Sequence, residues 1–449
     1  MKRINDFFHS LSAVQLIVLF YMSAVMVATI LLSLPLSRNP GAEWGVIEAV
    51  FTALSAVSVT GLTVVNTAET FTPIGSILLA FILQFGGIGI MTLGTFFWMI
   101  AGKKIGLRDR QLIMTDQNQS NLSGLVQLLK QILVLILIIE AAGAVILGLY
   151  FLTYYDTWQE AFLQGFFASV SATTNAGFDI TGSSLQPFAE DYFVQFINIL
   201  LLVLGAIGFP VLIEVKNFLL KRTPHYYKFS LFTKLTATTF FSLMIVGFIV
   251  IFLFEHNHFF ADNTWHENFF YALFQSVTTR NGGLATMNVA QFQTPTQLFL
   301  CVLMFIGASP SSVGGGIRTT TFAMIILSTI SFARGRSSTK VFGRELDPYD
   351  ILRSYIVLGV SVVLTGSAVI ILTATEPFPL TSIIFEVSSA FGTTGLSMGI
   401  TADLSTLGKV VIMMLMFIGR IGIFSFLFIM RGKVKGDTYH YPKERVIIG

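Results

Sequence analysis

The chain has 449 residues, 54% of them hydrophobic and only 11% charged, with a mean hydropathy of +0.76. A soluble domain carries about 25% charged residues, so the composition excludes an ordinary soluble enzyme. The net charge of +3 comes from basic residues flanking apolar runs and not from a nucleic-acid surface, and a single cysteine, Cys301, excludes an internal disulfide framework and fits a thiol buried in a helix.

The first apolar stretch, 11–34, follows Met1-Lys2-Arg3. It is longer than the roughly 7–15 residue core of a signal peptide and no cleavage site follows, so it is expected to be a retained first helix. From there one pattern is expected four times: a long apolar helix, a shorter apolar segment, a polar glycine turn and a second long helix. The first long helices are predicted at 12–34, 125–152, 231–254 and 352–374, the short segments at 46–58, 160–173, 267–279 and 381–392, and the second long helices at 74–101, 192–215, 297–330 and 407–430. The short segments fall below the ~20 residues a spanning helix needs. At membrane depth such a segment must turn back, with its turn buried in protein or lining water. The expectation is an all-α integral membrane protein of four tandem membrane–pore–membrane repeats, with eight spanning helices and four re-entrant half-helices around one central ion pathway. The repeats would occupy 1–110, 111–222, 223–336 and 337–449, the last ending in a cytoplasmic C-terminal tail.

The repeat rests on one glycine in one setting. Gly61, Gly177, Gly283 and Gly395 stand 116, 106 and 112 residues apart. Ten residues before them lie Phe51, Phe167, Leu273 and Phe385, and one residue after lie Leu62, Phe178, Leu284 and Leu396. A second glycine element follows 24 to 28 residues later, beginning at Gly86, Gly205, Gly307 and Gly419. The turns are expected at 58–63, 173–179, 279–285 and 392–398. A dehydrated cation needs several oxygens at once, and backbone carbonyls supply them when the chain turns them inward. Glycine tolerates the positive φ and close approach this requires, and four half-helix C-termini aimed at one axis favour a cation. The candidate selectivity-filter residues are Thr60, Gly61, Asn175, Ala176, Gly177, Asn281, Gly282, Gly283, Thr394 and Gly395. Thr60, Thr174, Asn175, Asn281, Thr393 and Thr394 are expected to brace the turns by local hydrogen bonds. The alternative, glycines that serve only close helix packing, fits the second glycine set better than the first.

The third repeat departs from the rest. Gly307-Ala308-Ser309-Pro310-Ser311-Ser312-Val313-Gly314-Gly315-Gly316 precedes Ile317 and Arg318, and proline with three glycines should break the sixth span at 307–318. Broken backbone at that depth sits beside a cavity or pore, which makes 307–316 a candidate gate; a plain structural kink is the alternative. Arg420 falls inside the eighth predicted span, where a charge implies a function and a partner. It could face a cavity below the turns or pair with Glu386. Glu140 and Glu214 are further partner candidates for the intramembrane arginines. Arg318 could meet a carboxylate or snorkel, and Arg280 could brace the third turn or sit at the outer mouth.

Basic residues follow every second span (Lys103, Lys104, Lys216, Lys221, Arg334, Arg336, Arg431, Lys433) and precede the first. By the positive-inside rule both termini are expected to be cytoplasmic. No phosphate-binding loop, H-E-x-x-H or G-x-S-x-G motif occurs, so neither nucleotide hydrolysis by those means nor a familiar catalytic constellation is expected. The six histidines lie near span ends or in loops. An alternating-access carrier would show inverted repeats and midplane carboxylates; here the repeats share one orientation and no carboxylate pair is evident.

The segments TNAGF at 174–178, RNGGL at 280–284, GTTGL at 392–396, FIGRIG at 417–422 and the tail from Tyr441 to Gly449 resemble the superfamily of potassium transporters that includes the Trk, Ktr and HKT proteins, and within it the membrane subunit of the bacterial Ktr system. The likeness covers nearly the whole chain. It implies K+ as the transported ion, Na+ as a stimulating ion and no organic cofactor. It also implies a homodimer in the bacterial plasma membrane and a cytosolic RCK-type nucleotide-binding ring as regulatory partner. The family carries an intramembrane gating loop at the place of 307–316, usually rich in small residues; Pro310 departs from that pattern. The first turn, VTGL without an asparagine, also departs.

Overall fold

The computed structural model describes residues 13–89, 125–220 and 228–430, together with Pro442 and Glu444. The expected helix beyond residue 89, the basic loop 102–124 and nearly all of the tail lie outside the described residues.

In chain order the main helices are α1 (Ala13–Leu32), α2 (Val46–Ser58), α3 (Pro73–Ile88), α4 (Leu125–Phe151), α5 (Trp158–Thr173), α6 (Tyr192–Ala206), α7 (Phe209–Leu220), α8 (Leu231–Glu255), α9 (Trp265–Thr278), α10 (Thr294–Ile306), α11 (Thr319–Ala333), α12 (Pro348–Thr375), α13 (Leu380–Gly392), α14 (Thr406–Ile421) and α15 (Ile423–Met430). One small departure from an all-helical chain is a hairpin pairing Lys340–Val341 with Arg344–Glu345. Its turn residues Phe342 and Gly343 both take positive φ, 50° and 73°, the backbone of a type I′ turn.

Four described helices are long and apolar enough to cross a membrane: those over Gln15–Leu32, Val126–Phe151, Leu231–Glu255 and Pro348–Thr375, with a fifth if the α6–α7 pair, bent by 105°, is one span. The sequence led us to expect unbroken second helices at 74–101, 192–215 and 407–430. Each instead stops at a glycine of the second element. Gly89, Gly208 and Gly422 have φ of 99°, 103° and 88°, which ends the i→i−4 ladder. The stretch predicted at 297–330 stops at Ile306 and resumes at Thr319. The 16 residues of α3 rise about 24 Å, less than the ~30 Å hydrocarbon core.

Helices α1, α4, α8 and α12 expose large apolar side chains, among them Met26, Ile138, Leu253 and Ile370. The four short helices α2, α5, α9 and α13 lie inside, and the residues ten before each turn glycine anchor three of them: Phe51, Phe167 and Phe385 are at most 1% exposed. Leu273 is only partly buried. The joint between α4 and α5 is backbone to backbone. A Cβ placed on Gly165 would lie 2.6 Å from the Cα of Gly148, closer than real carbons approach. Cys301 is buried and free in α10.

Gly165→Ala must therefore part α4 from α5. Overpacking of this kind costs ~1–3 kcal/mol. A lowered melting temperature in detergent is expected, while Gly366→Ala, which has open space around it, should leave melting unchanged or raise it.

Candidate functional site

The four short helices bring their C-termini together. A Cβ built on Gly61 would lie 2.9 Å from the Cα of Gly177; on Gly177, 2.9 Å from the Cα of Gly283; on Gly283, 3.3 Å from the Cα of Gly395; and on Gly395, 3.1 Å from the Cα of Gly61. The contacts run once through the chain and close on the start, so the four glycines form a ring. All four have positive φ: 91°, 68°, 72° and 96°. The same hypothetical Cβ atoms run into the backbone oxygens of Ala176, Thr394 and Thr60, the residue before the glycine in three of the turns. Main-chain carbonyls thus crowd the ring.

A second regularity escaped the sequence. Two residues before each glycine, a side-chain-bearing residue also has positive φ: Val59 at 57°, Asn175 at 51°, Asn281 at 95° and Thr393 at 50°. Val59 and Thr393 are β-branched and resist this conformation. Three helices are closed there by paired backbone bonds. Val59 and Thr60 donate to Ala56 and Ser55, Asn175 and Ala176 to Ala172 and Ser171, and Thr393 and Thr394 to Ala390 and Ser389. Each pair satisfies two carbonyls that a helix end otherwise leaves open, and the left-handed residue turns the following chain toward the ring.

Side chains hold the turns from behind. Ser171 donates to the carbonyl oxygen of Phe178 and Thr278 to that of Leu284, both at 2.5 Å. The amide of Gly395 donates to the Ser389 hydroxyl at 3.0 Å. Of the expected braces, Thr60 shares a 2.7 Å bond with Ser58. Asn281 Oδ1 accepts from the amide of Gly315 at 2.9 Å and from Thr393 at 3.2 Å. Thr174 bonds back to Val170 in its own helix. Asn175, with its amide oriented to suit its surroundings, donates to the carbonyls of Ala172 and Leu202. The Thr394 hydroxyl has no partner among the described residues. Gly282 does not join the ring; its open side faces Thr278 and Leu202.

Segment 307–318 lies against this ring and ties three parts of the chain. The Ser309 amide donates to Ala206 at 3.1 Å, the Phe209 amide to Ser311 at 2.8 Å, and the Gly315 amide to Asn281 of the third turn. A Cβ on Gly315 would meet the Thr393 hydroxyl of the fourth turn at 2.6 Å. Within the segment, Ala308 donates to Gly315 at 3.2 Å and Ser312 to Ser309 at 2.6 Å. Pro310 turns its carbonyl toward Gly208.

Arg420 does not pair with Glu386. Its guanidinium donates to the carbonyl oxygens of Val313 in the segment and of Gly86 and Gly87 at the end of α3, and its Nε to the Tyr21 hydroxyl at 3.2 Å. Tyr21 in turn donates to the Val57 carbonyl at 2.9 Å, at the end of α2. Among the described residues Arg318 meets no carboxylate; it bonds the Gly314 carbonyl. Both arginines line one cavity of about 30 Å³ with Tyr21, Ser311, Ser312 and Ser425, roomy enough for water. Glu386, fully buried in α13, accepts from Ser397 at 2.9 Å and from Thr401, and so clamps the irregular segment leaving the fourth turn. Glu140 accepts from Gln84 and Glu214 from the Ser230 amide, and among the described residues neither accepts from an arginine. Arg280 is not at an open mouth. It is wholly buried, with its guanidinium 5.7 Å from the centre of the Phe240 ring. Among the described residues no cluster of His, Cys, Asp and Glu could hold a metal ion.

Turns of backbone meeting in a ring, a broken helix beside them and helices apolar enough to cross a membrane fit a membrane transport protein. Residues 7–439 match the profile of TrkH, described as cation transport protein, and the chain belongs to that family, whose members are transporters and not enzymes. It is 62% identical to the Ktr system potassium uptake protein D of Bacillus subtilis, over 98% of either chain. It is 34% identical to the Ktr system potassium uptake protein B of the same organism, over 97% of this chain and 96% of that one. The crystal structure of the potassium transporter TrkH from Vibrio parahaemolyticus superposes with a TM-score of 0.74 at 20% identity, covering 94% of this chain and 86% of that one; it has the same fold.

Gly177→Ala and Gly283→Ala combine a strained φ with backbone contact. Each is expected to cost at least ~1–2 kcal/mol and to lower the melting temperature. Gly359→Ala, in a helix with open space around it, gains about 0.5–1 kcal/mol of helix propensity and serves as the matched control.

Proposed function

We propose that this chain is the membrane subunit of a potassium-uptake system and that K+ crosses at the ring of Gly61, Gly177, Gly283 and Gly395. The observation that carries the reading is the pair of positive-φ residues repeated in all four turns, which sets the chain to aim successive carbonyls at one axis. In this reading the chain comprises four membrane–pore–membrane units, 1–110, 111–222, 223–336 and 337–449, and α2, α5, α9 and α13 are re-entrant half-helices whose negative ends face the ion. The carbonyls of Thr60, Ala176, Gly282 and Thr394, each just before its glycine, replace the water shell of K+. The relatives named as potassium uptake proteins support the choice of ion.

Segment 307–316 is the gate in this reading, lying across the path under the third and fourth turns. Arg420 is its latch, because one guanidinium holds Val313 of the segment to Gly86 and Gly87 of α3. Hydrogen bonds to a charged group are worth ~1.5–3 kcal/mol each, so loss of the Val313 bond alone shifts a closed–open balance by roughly tenfold or more. The same guanidinium repels a cation waiting below the turns. A homodimer in the bacterial plasma membrane, both termini inside, with Na+ stimulation and a cytosolic RCK-type ring acting on the gate, completes the proposal; the resemblance to Ktr proteins supports these parts.

The test is 86Rb+ uptake into proteoliposomes holding this chain alone. Uptake driven by membrane potential, blocked by K+ and weakly by Na+, is expected. Absence of uptake with and without the ring from folded protein would refute the ion assignment. Arg420→Gln and deletion of 311–316 are each expected to raise uptake, by roughly tenfold for the substitution. Unaltered uptake in both folded variants would remove the gate from the account.

A further inference from the structure

We propose that Glu140 binds one proton at membrane depth, held in a cyclic acid–amide pair with Gln84. Glu140 lies within α4 and is 6% exposed. Its Oε2 accepts an Nε2–H of Gln84 at 2.8 Å. The other carboxyl oxygen, Glu140 Oε1, and the amide oxygen, Gln84 Oε1, are both buried and have no partner among the described residues. Both are acceptors, and an unpaired buried acceptor is costly. The pair is one hydrogen short. A proton on Glu140 Oε1, donated to Gln84 Oε1, supplies it and closes two antiparallel hydrogen bonds between one acid and one amide.

Among the described residues no cation takes the place of that proton. The described titratable groups on the elements packed around Glu140 are Lys130 and Tyr150 on α4 itself, Glu160 on α5, Tyr192 on α6 with Asp191 at its head, and Glu214 and Lys216 on α7; Tyr192 is bonded to the His266 ring. Tyr150 bonds Asp191 and Glu214 bonds Ser230; Lys130 is ten residues along the helix from Glu140, about 15 Å of rise. A bound metal cation is the poorer occupant, because hard cations gather about six oxygens and only two are open here.

The proton joins α4 to α3 near the latch, and Glu140 is tied to α5 by its own backbone. The Glu140 backbone carbonyl accepts the Ser169 hydroxyl of α5 at 2.8 Å, and Gln84 stands two residues before Gly86, whose carbonyl holds Arg420. Glu140 is thus a positioning residue for the end of α3. Infrared spectroscopy of the full-length protein in lipid nanodiscs tests this. A carbonyl band of a protonated carboxylic acid is expected at neutral pH, lost in Glu140→Gln and shifted in Gln84→Met, which keeps the acid but removes its amide partner. Glu140→Gln, which can keep both hydrogen bonds, should melt with the wild type, and Glu140→Ala below it. If Glu140→Gln does not fold, the Gln84→Met shift decides. An unshifted band in Gln84→Met, a band unaffected by Glu140→Gln, or a carboxylate band that moves with Na+ or K+ concentration would overturn the proposal, the last in favour of a metal cation.

Discussion

Four backbone turns that approach so closely that none has room for a β-carbon are the constraint on which the rest depends. Each glycine of the ring is blocked by the backbone of the next, so their positions cannot vary independently. The short helices α2, α5, α9 and α13 deliver the turns at this spacing only because each is wrapped by apolar side chains and closed at its end by backbone bonds. The strain stored at Val59 and Thr393 persists because the surroundings over-determine it.

The segment after Gly307 is held in the same manner, through main-chain groups. Broken helix leaves amides and carbonyls free, and these find partners at Ala206, Phe209, Asn281 and Arg420. The segment is therefore sensitive to movement of the α6–α7 joint and of the third and fourth turns together. Arg420 concentrates the coupling, because it touches the segment, α3 and Tyr21 at once. A planar fork of donors suits several carbonyls in a way an ammonium does not.

The glycines were legible in the sequence because close approach and positive φ leave no alternative residue, so they mark the same place four times. The apolar anchors ten residues earlier were legible for a similar reason, since a buried phenylalanine at a fixed offset leaves a trace in three of the four copies and a leucine in the other. The positive-φ residues two places before the glycines were not, because Val59 and Thr393 oppose the conformation by local propensity and tertiary packing imposes it, while asparagine, which tolerates it, stands at only two of the four places. The breaks at Gly89, Gly208 and Gly422 were missed because a glycine that ends a helix and a glycine that lets helices touch read alike. Arg420 drew attention as a charge in an apolar run, but its partners are carbonyls, which no residue letter records. Of the two readings open for Arg420, a cavity-facing charge or an ion pair such as that with Glu386, the pair fails because Glu386 serves Ser397 and Thr401.

The central claim, that the ring of glycine turns is the ion site, is tested most directly by anomalous scattering from crystals of the full-length protein grown in Rb+. The account predicts a rubidium peak on the axis of the ring, among the carbonyls of Thr60, Ala176, Gly282 and Thr394. Rubidium bound elsewhere in the membrane with none at the ring would contradict it.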